Sequence, residues 1–185
     1  MDVELEADPP AELPVEVLHF PFFYEDAEAF AEMEAASEAA SDTASATRGV
    51  YLVFLERFRA NVAAAFGAVA RAPDGAVVVH CMGGKDRTGL LVALLLHVAG
   101  VDDEDIAADY AVSEERLRPR SDVFLAEAGT EAERERIRRI SATPAEAMVS
   151  VLEELGQRYG SVESYLRAGG VGDEELELVR KRLRG

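Results

Sequence analysis

The feature that most constrains this chain is a junction near its middle. A β-branched, continuously apolar run, Ala76-Val77-Val78-Val79-His80, leads into Cys81-Met82-Gly83-Gly84-Lys85-Asp86-Arg87-Thr88-Gly89 and then into the apolar stretch Leu90 to Ala99. The first run predicts a short strand covered on both faces. Gly83 and Gly84 predict a tight turn with backbone open to close approach. Thr88 to Ala99 predicts a buried helix, ended by Gly100. A strand, a glycine-rich turn and a helix start in that order direct several amide N–H groups into one space. Such a nest, with the helix dipole behind it, favours an anion.

The flanking sequence supplies mostly helices. Pro9, Pro10 and Pro14 punctuate an acidic lead-in over residues 1–14. Val15-Glu16-Val17-Leu18-His19-Phe20 alternates, then runs apolar into Pro21-Phe22-Phe23, which predicts a strand ending at a loop. Glu25 to Ser41 is Ala/Glu-rich and predicts a surface helix; Ser41 to Thr47 is small and polar and predicts a loop. From Arg48 to Arg71 the large apolar residues Val50, Tyr51, Phe54, Leu55, Phe58, Val62, Phe66 and Val69 share one face of a long helix. Beyond Val101 the pattern is helical, with starts at Asp102 and Thr143-Pro144, a break at Gly160, a short helix opened by Ser161-Val162-Glu163-Ser164 and a last helix from Asp173 to Leu183.

These elements predict an α/β fold over residues 1–185, a single domain with a small, mainly parallel sheet and a helix-rich half over 101–185. Only two strands are evident against about eight helices, and a two-stranded sheet cannot shield its own edges. The expectation is a sheet with part of its strands absent, and an exposed edge open to self-association.

Composition narrows the partners. With 49% apolar residues the chain can build a core, and its net charge of −17 argues against nucleic acid. The longest apolar run, Gly89 to Val101, contains His97 and is too short to cross a bilayer. No basic segment followed by an apolar stretch opens the chain, so a cytoplasmic location is expected. The lone Cys81 has no internal disulfide partner, so it is either a small buried hydrophobe or a reactive thiol.

Its neighbours favour the second. Hydrolysis of a phosphate monoester needs amide donors, a cation, an in-line nucleophile and an acid. The amides of Met82, Gly83, Gly84, Lys85, Asp86 and Arg87 can form the nest. Arg87, six residues after Cys81, can fold back and hold two phosphate oxygens. Nest, dipole and guanidinium together lower the thiol pKa from about 8.5 toward roughly 3.5–7.5. The Thr88 hydroxyl can donate to the thiolate, and His80 is expected to order the loop rather than act as acid or base. A nucleotide-binding loop needs G-x-x-x-x-G-K-[ST]; Val79 replaces its first glycine and Asp86 its Ser/Thr, so that reading fails. No His/Asp/Glu cluster has metal-ligand spacing, and no cofactor is expected.

The segment H-C-x-x-G-K-D-R-T-G resembles the signature of the atypical, bacterial-type tyrosine phosphatases, within the cysteine-dependent phosphatases. Its form is also similar to the loops of phosphoinositide phosphatases. Asp109-Tyr110-x-x-Ser113 resembles the family's D-Y-x-x-S, and Tyr159-Gly160-Ser161-x-x-x-Tyr165-Leu166 its Y-G-S-x-x-x-Y-L. The family's N-F-R-D, F-R-S and D-L-R segments, on strands ahead of the equivalent of Val15, do not occur here. The resemblance therefore implies a truncated reading frame or a naturally shortened relative. It also implies Cys81 as nucleophile, Arg87 as phosphate clamp and Asp86 as general acid, acting on phosphotyrosine proteins or phosphoinositides. Asp26 is the alternative acid, or else a helix cap. Lys85 either meets a second phosphate or pairs with a carboxylate. Arg116, Arg118 and Arg120 form either a basic rim or a solvated segment.

Overall fold

Helix-start signals recur along this chain, and they govern its architecture. The computed structural model describes residues 16–20 and 26–185. Among these residues the helices are α1 (Ala27–Glu38), α2 (Thr43–Arg57), α3 (Arg59–Arg71), α4 (Asp86–Val98), α5 (Asp103–Glu127), α6 (Glu131–Ser141), α7 (Ala145–Tyr159), α8 (Val162–Gly169) and α9 (Asp173–Arg184). Several start on side chains that satisfy the first turn's unpaired N–H groups. Asp42 accepts from the Ser45 amide at 2.8 Å, Thr130 from Glu133 at 3.2 Å and Ser161 from Ser164 at 3.0 Å. The Asp42 cap corrects one expectation: most of the small polar stretch read as a loop is the first turn of α2. A second correction falls at Phe58, where φ −109° and ψ 23° divide the expected long helix into α2 and α3.

The core gathers around α4, whose Leu90, Leu91, Leu94, Leu95 and Val98 are buried and which packs against α3, α5, α8 and α9. Every helix except α6 gives buried apolar residues to one continuous cluster. Burying a large side chain of this kind contributes about 1.5–3 kcal/mol. Tyr165 is fully buried and donates from its hydroxyl to the Leu55 carbonyl at 2.8 Å, which ties α8 to α2 without leaving an unsatisfied phenol. The body thus holds α4, and with it the loop ahead of Asp86, from several sides.

The expected parallel sheet is not there. Among the described residues no strand forms, so the fold is helical rather than α/β. Among the described residues, 76–80 have no partner strand for their N–H and C=O groups, and Val78 is 83% exposed where cover on both faces was expected. β-Branched composition favours an extended backbone, but a strand exists only as a pair. The other expected strand falls partly outside the described residues; its described part, residues 16–20, forms no strand with any other described residue.

The far half of α5 and all of α6 behave differently from the body. Buried residues of α5 end at Tyr110, α6 has none, and the two helices pack on each other. No described helix is long and apolar enough to cross a membrane.

Candidate active site

The extended run delivers Cys81 to a bend that ends where α4 begins at Asp86. Gly84 turns the chain with φ +70°, a conformation that a side chain would strain. Cys81 is a half-buried free thiol. Burial by itself raises its pKa; the Thr88 hydroxyl and amide, the Gly84 amide and the Arg87 charge oppose this and prevail, so the thiol lies below its ordinary range. Thr88 Oγ1 is buried without a well-formed hydrogen bond, and its hydroxyl is among the groups that lower the Cys81 thiol. The arrangement places the thiol ahead of the α4 N-terminus, where the Arg87 charge favours its ionised form.

Asp86 occupies the first turn of α4, and its Oδ1 accepts from the Tyr51 hydroxyl at 2.6 Å. The Tyr51 and Tyr110 hydroxyls lie 2.8 Å apart, with their rings edge-on at 6.1 Å between centroids. Both phenols are pushed well above their ordinary pKa, first by burial and then by the negative charge nearby. They stay protonated and donate. Gly89 makes the approach of Tyr110 possible, since a Cβ there would stand 3.0 Å from the Tyr110 ring. Tyr51 reads in the sequence as one more member of an apolar helix face. Its hydroxyl is the available signal, because a buried phenol requires a partner.

Lys85 is buried, with Nζ 2.5 Å from the Ile140 carbonyl and 3.4 Å from that of Ala142. Asp86 Oδ1 lies 3.3 Å from the same ammonium. Of the two expectations for Lys85, the arrangement matches the one with a carboxylate partner. Thr143 fixes the same joint between α6 and α7: its Oγ1 accepts from the Glu114 amide at 3.1 Å, and its own amide donates to Glu114 Oε2 at 3.0 Å. The loop before α4 is therefore bonded to the α6–α7 joint, and that joint to α5.

The remaining candidates separate. His80 is exposed, with Nδ1 3.2 Å from the Cys81 carbonyl. Met82 is exposed at the bend. Asp26 caps α1, accepting from the Ala29 amide at 2.9 Å. Asp109 and Ser113 line, with Gly84, Thr88, Gly89 and Tyr110, a cavity of about 100 Å³ between α4 and α5. Arg116, Arg118 and Arg120 are exposed on the far half of α5, and Arg120 stacks over the Phe124 ring at 5.7 Å. Among the described residues no three His, Cys, Asp or Glu side chains converge as a metal site requires.

Comparison with known proteins agrees with the loop. The chain is 32% identical over 139 residues to a tyrosine-protein phosphatase of Nostoc commune, a match covering 72% of this chain and 47% of that protein. It is 31% identical over 121 residues to the triple specificity protein phosphatase PtpB of Mycobacterium tuberculosis, covering 59% of this chain and 44% of the relative. The chain thus spans about half the length of the relatives it matches. The profile described as the tyrosine phosphatase family matches residues 2–185, and this chain belongs to that family.

Proposed function

We propose that this chain hydrolyses phosphate monoesters, those of tyrosine in proteins first, by two displacements on Cys81. The thiolate attacks phosphorus while Asp86 gives its proton to the departing ester oxygen. The resulting phosphocysteine is then attacked by water, whose proton passes to the Asp86 carboxylate. Free phosphate leaves, and Cys81 returns as a thiolate, eased out by the Thr88 hydroxyl. The amides of Met82 to Arg87 and the Arg87 guanidinium hold the three equatorial oxygens, the part that a metal ion plays in other hydrolases.

The observation that carries this reading is the environment of Cys81. Its thiol is lowered by Thr88, Gly84 and Arg87 against the pull of burial, an arrangement with no use in a structural cysteine. Cys81→Ser should abolish turnover of an aryl phosphate while the variant still binds phosphate or tungstate, and added chelator should change neither. Retained turnover in Cys81→Ser sinks the mechanism.

Broader action is part of the proposal. One relative is named a triple specificity phosphatase, and by that likeness phosphoserine, phosphothreonine and soluble phosphoinositides are proposed as secondary substrates here. A cytoplasmic site of action is proposed with it, since a nucleophilic thiol must stay reduced. A second reading, a phosphate-binding relative without turnover, is favoured by one observation: no strand among the described residues braces residues 76–80, which lead into the loop. Such a protein would bind tungstate and leave aryl phosphates intact. The same unpaired segment is proposed to associate with a second copy of the chain.

A further inference from the structure

We propose that Tyr51 and Tyr110 are positioning residues, a buried two-hydroxyl relay that aims the Asp86 carboxyl; the inference rests on Asp86 being the general acid. Tyr51 spends its proton on Asp86 Oδ1 at 2.6 Å, so in the 2.8 Å contact between the phenols Tyr110 is the donor. The polarity is fixed: Tyr110 donates to Tyr51, and Tyr51 to Asp86. The Lys85 ammonium also approaches Oδ1, at 3.3 Å. Both approaches fall on one oxygen, and Oδ2 is left to carry the proton exchanged with substrate.

The Tyr51 and Tyr110 rings belong to the core, but their hydroxyls serve no packing purpose. Tyr51 comes from α2, Tyr110 from α5 and Asp86 from α4, and phenylalanine would fill the two aromatic positions at no desolvation cost. Asp86 itself is half-exposed, so the relay does not serve to neutralise a buried charge. A half-exposed carboxylate without the relay would sample several rotamers, each placing its oxygens differently relative to the Cys81 sulfur. Proton transfer tolerates little displacement, and an error of about 1 Å in placement costs on the order of 100-fold in rate. Gly89 belongs to the same device, because the α4 surface must be bare there for the Tyr110 ring to come close.

The test is leaving-group dependence in Tyr51→Phe, Tyr110→Phe and the double variant of this chain, with Asp86→Asn as reference. Phenyl phosphate, a poor leaving group, reports the acid; a dinitrophenyl phosphate departs nearly unaided. Tyr51→Phe should lower kcat for phenyl phosphate roughly tenfold to 100-fold, with KM little changed and a much smaller loss on the activated ester. Tyr110→Phe should show the same pattern more weakly. Added to Asp86→Asn, Tyr51→Phe should have no further selective effect, since there is no acid left to aim. The alkylation rate of Cys81 should be unchanged in both phenylalanine variants. Equal losses on both esters, accompanied by slower alkylation, would mean a structural role and overturn the inference. Full kcat in the double variant overturns it too, while Asp86→Asn remains selectively impaired. If Asp86→Asn lacks the selective pattern, or the unaltered chain turns over neither ester, the acid assignment itself falls and the relay falls with it.

Discussion

Lys85 Nζ stands 2.5 Å from the carbonyl oxygen of Ile140, so the loop that carries Cys81 is bonded to the C-terminal turn of α6. A helix C-terminus presents unpaired carbonyls and partial negative charge, and an ammonium answers both. Lys85→Met keeps the stem and deletes the donor. It should lower stability by about 1–3 kcal/mol, measured by urea unfolding, as expected for a buried charged hydrogen bond removed from one side. Its kcat/KM should fall by the same factor on a phosphotyrosine peptide and on a soluble phosphoinositide. A loss confined to the inositol substrate would instead give Lys85 a place on the substrate.

Cys81 should react with iodoacetamide at a pH where ordinary thiols barely do, because its thiol lies below the usual range. The same shift has a consequence for stability. An acid whose folded pKa is depressed adds stability above its unfolded value, and that gain is lost as pH falls through the folded value. Thr88→Val removes the donated hydroxyl bond and should move the alkylation midpoint upward. An unmoved midpoint would mean that Thr88 does not hold the thiolate.

Asp26 and Asp86 should part in their phenotypes. Asp26→Ala deletes the α1 cap and should cost about 0.5–2 kcal/mol of stability with kcat intact. Selective loss of kcat on poor leaving groups in Asp26→Asn, with Asp86→Asn spared, would reverse the assignment of the acid.

Val78 should govern association between copies. It is 83% exposed on an unpaired extended segment that can add to a second chain. Sedimentation at rising concentration should show larger species for the unaltered chain and a monomer for Val78→Lys. A concentration-independent monomer in both would remove self-association through this edge.

The joint at Thr143 should be cooperative with the loop. Thr143→Val removes both the hydroxyl that donates to the Ala111 carbonyl and the acceptor of the Glu114 amide. A loss of about 1–3 kcal/mol is expected. Combined with Lys85→Met the cost should be less than the sum, because both act on the α6–α7 joint.

Helix positions were largely legible because their signals are local. The start of α8 at Ser161, the left-handed turn at Gly160 with φ +86° and the burial of Leu90 to Val98 follow from residues within a few positions of one another. The division at Phe58 was not, since the apolar spacing continues through it. Nor was the state of Ala76 to His80, because pairing depends on a second strand that no local pattern supplies.

In the site the division runs along the same line. The order Cys81, Gly83-Gly84, Arg87, Thr88 is enough by itself to bring a thiol, amides, a cation and a hydroxyl to one helix end, since all lie within nine residues of backbone. Tertiary structure alone brought Tyr51 onto Asp86, Tyr110 onto Tyr51 and Lys85 onto Ile140. Those contacts join residues 35 to 59 positions apart, distances over which side-chain direction is set by how helices pack and not by any periodicity in the chain.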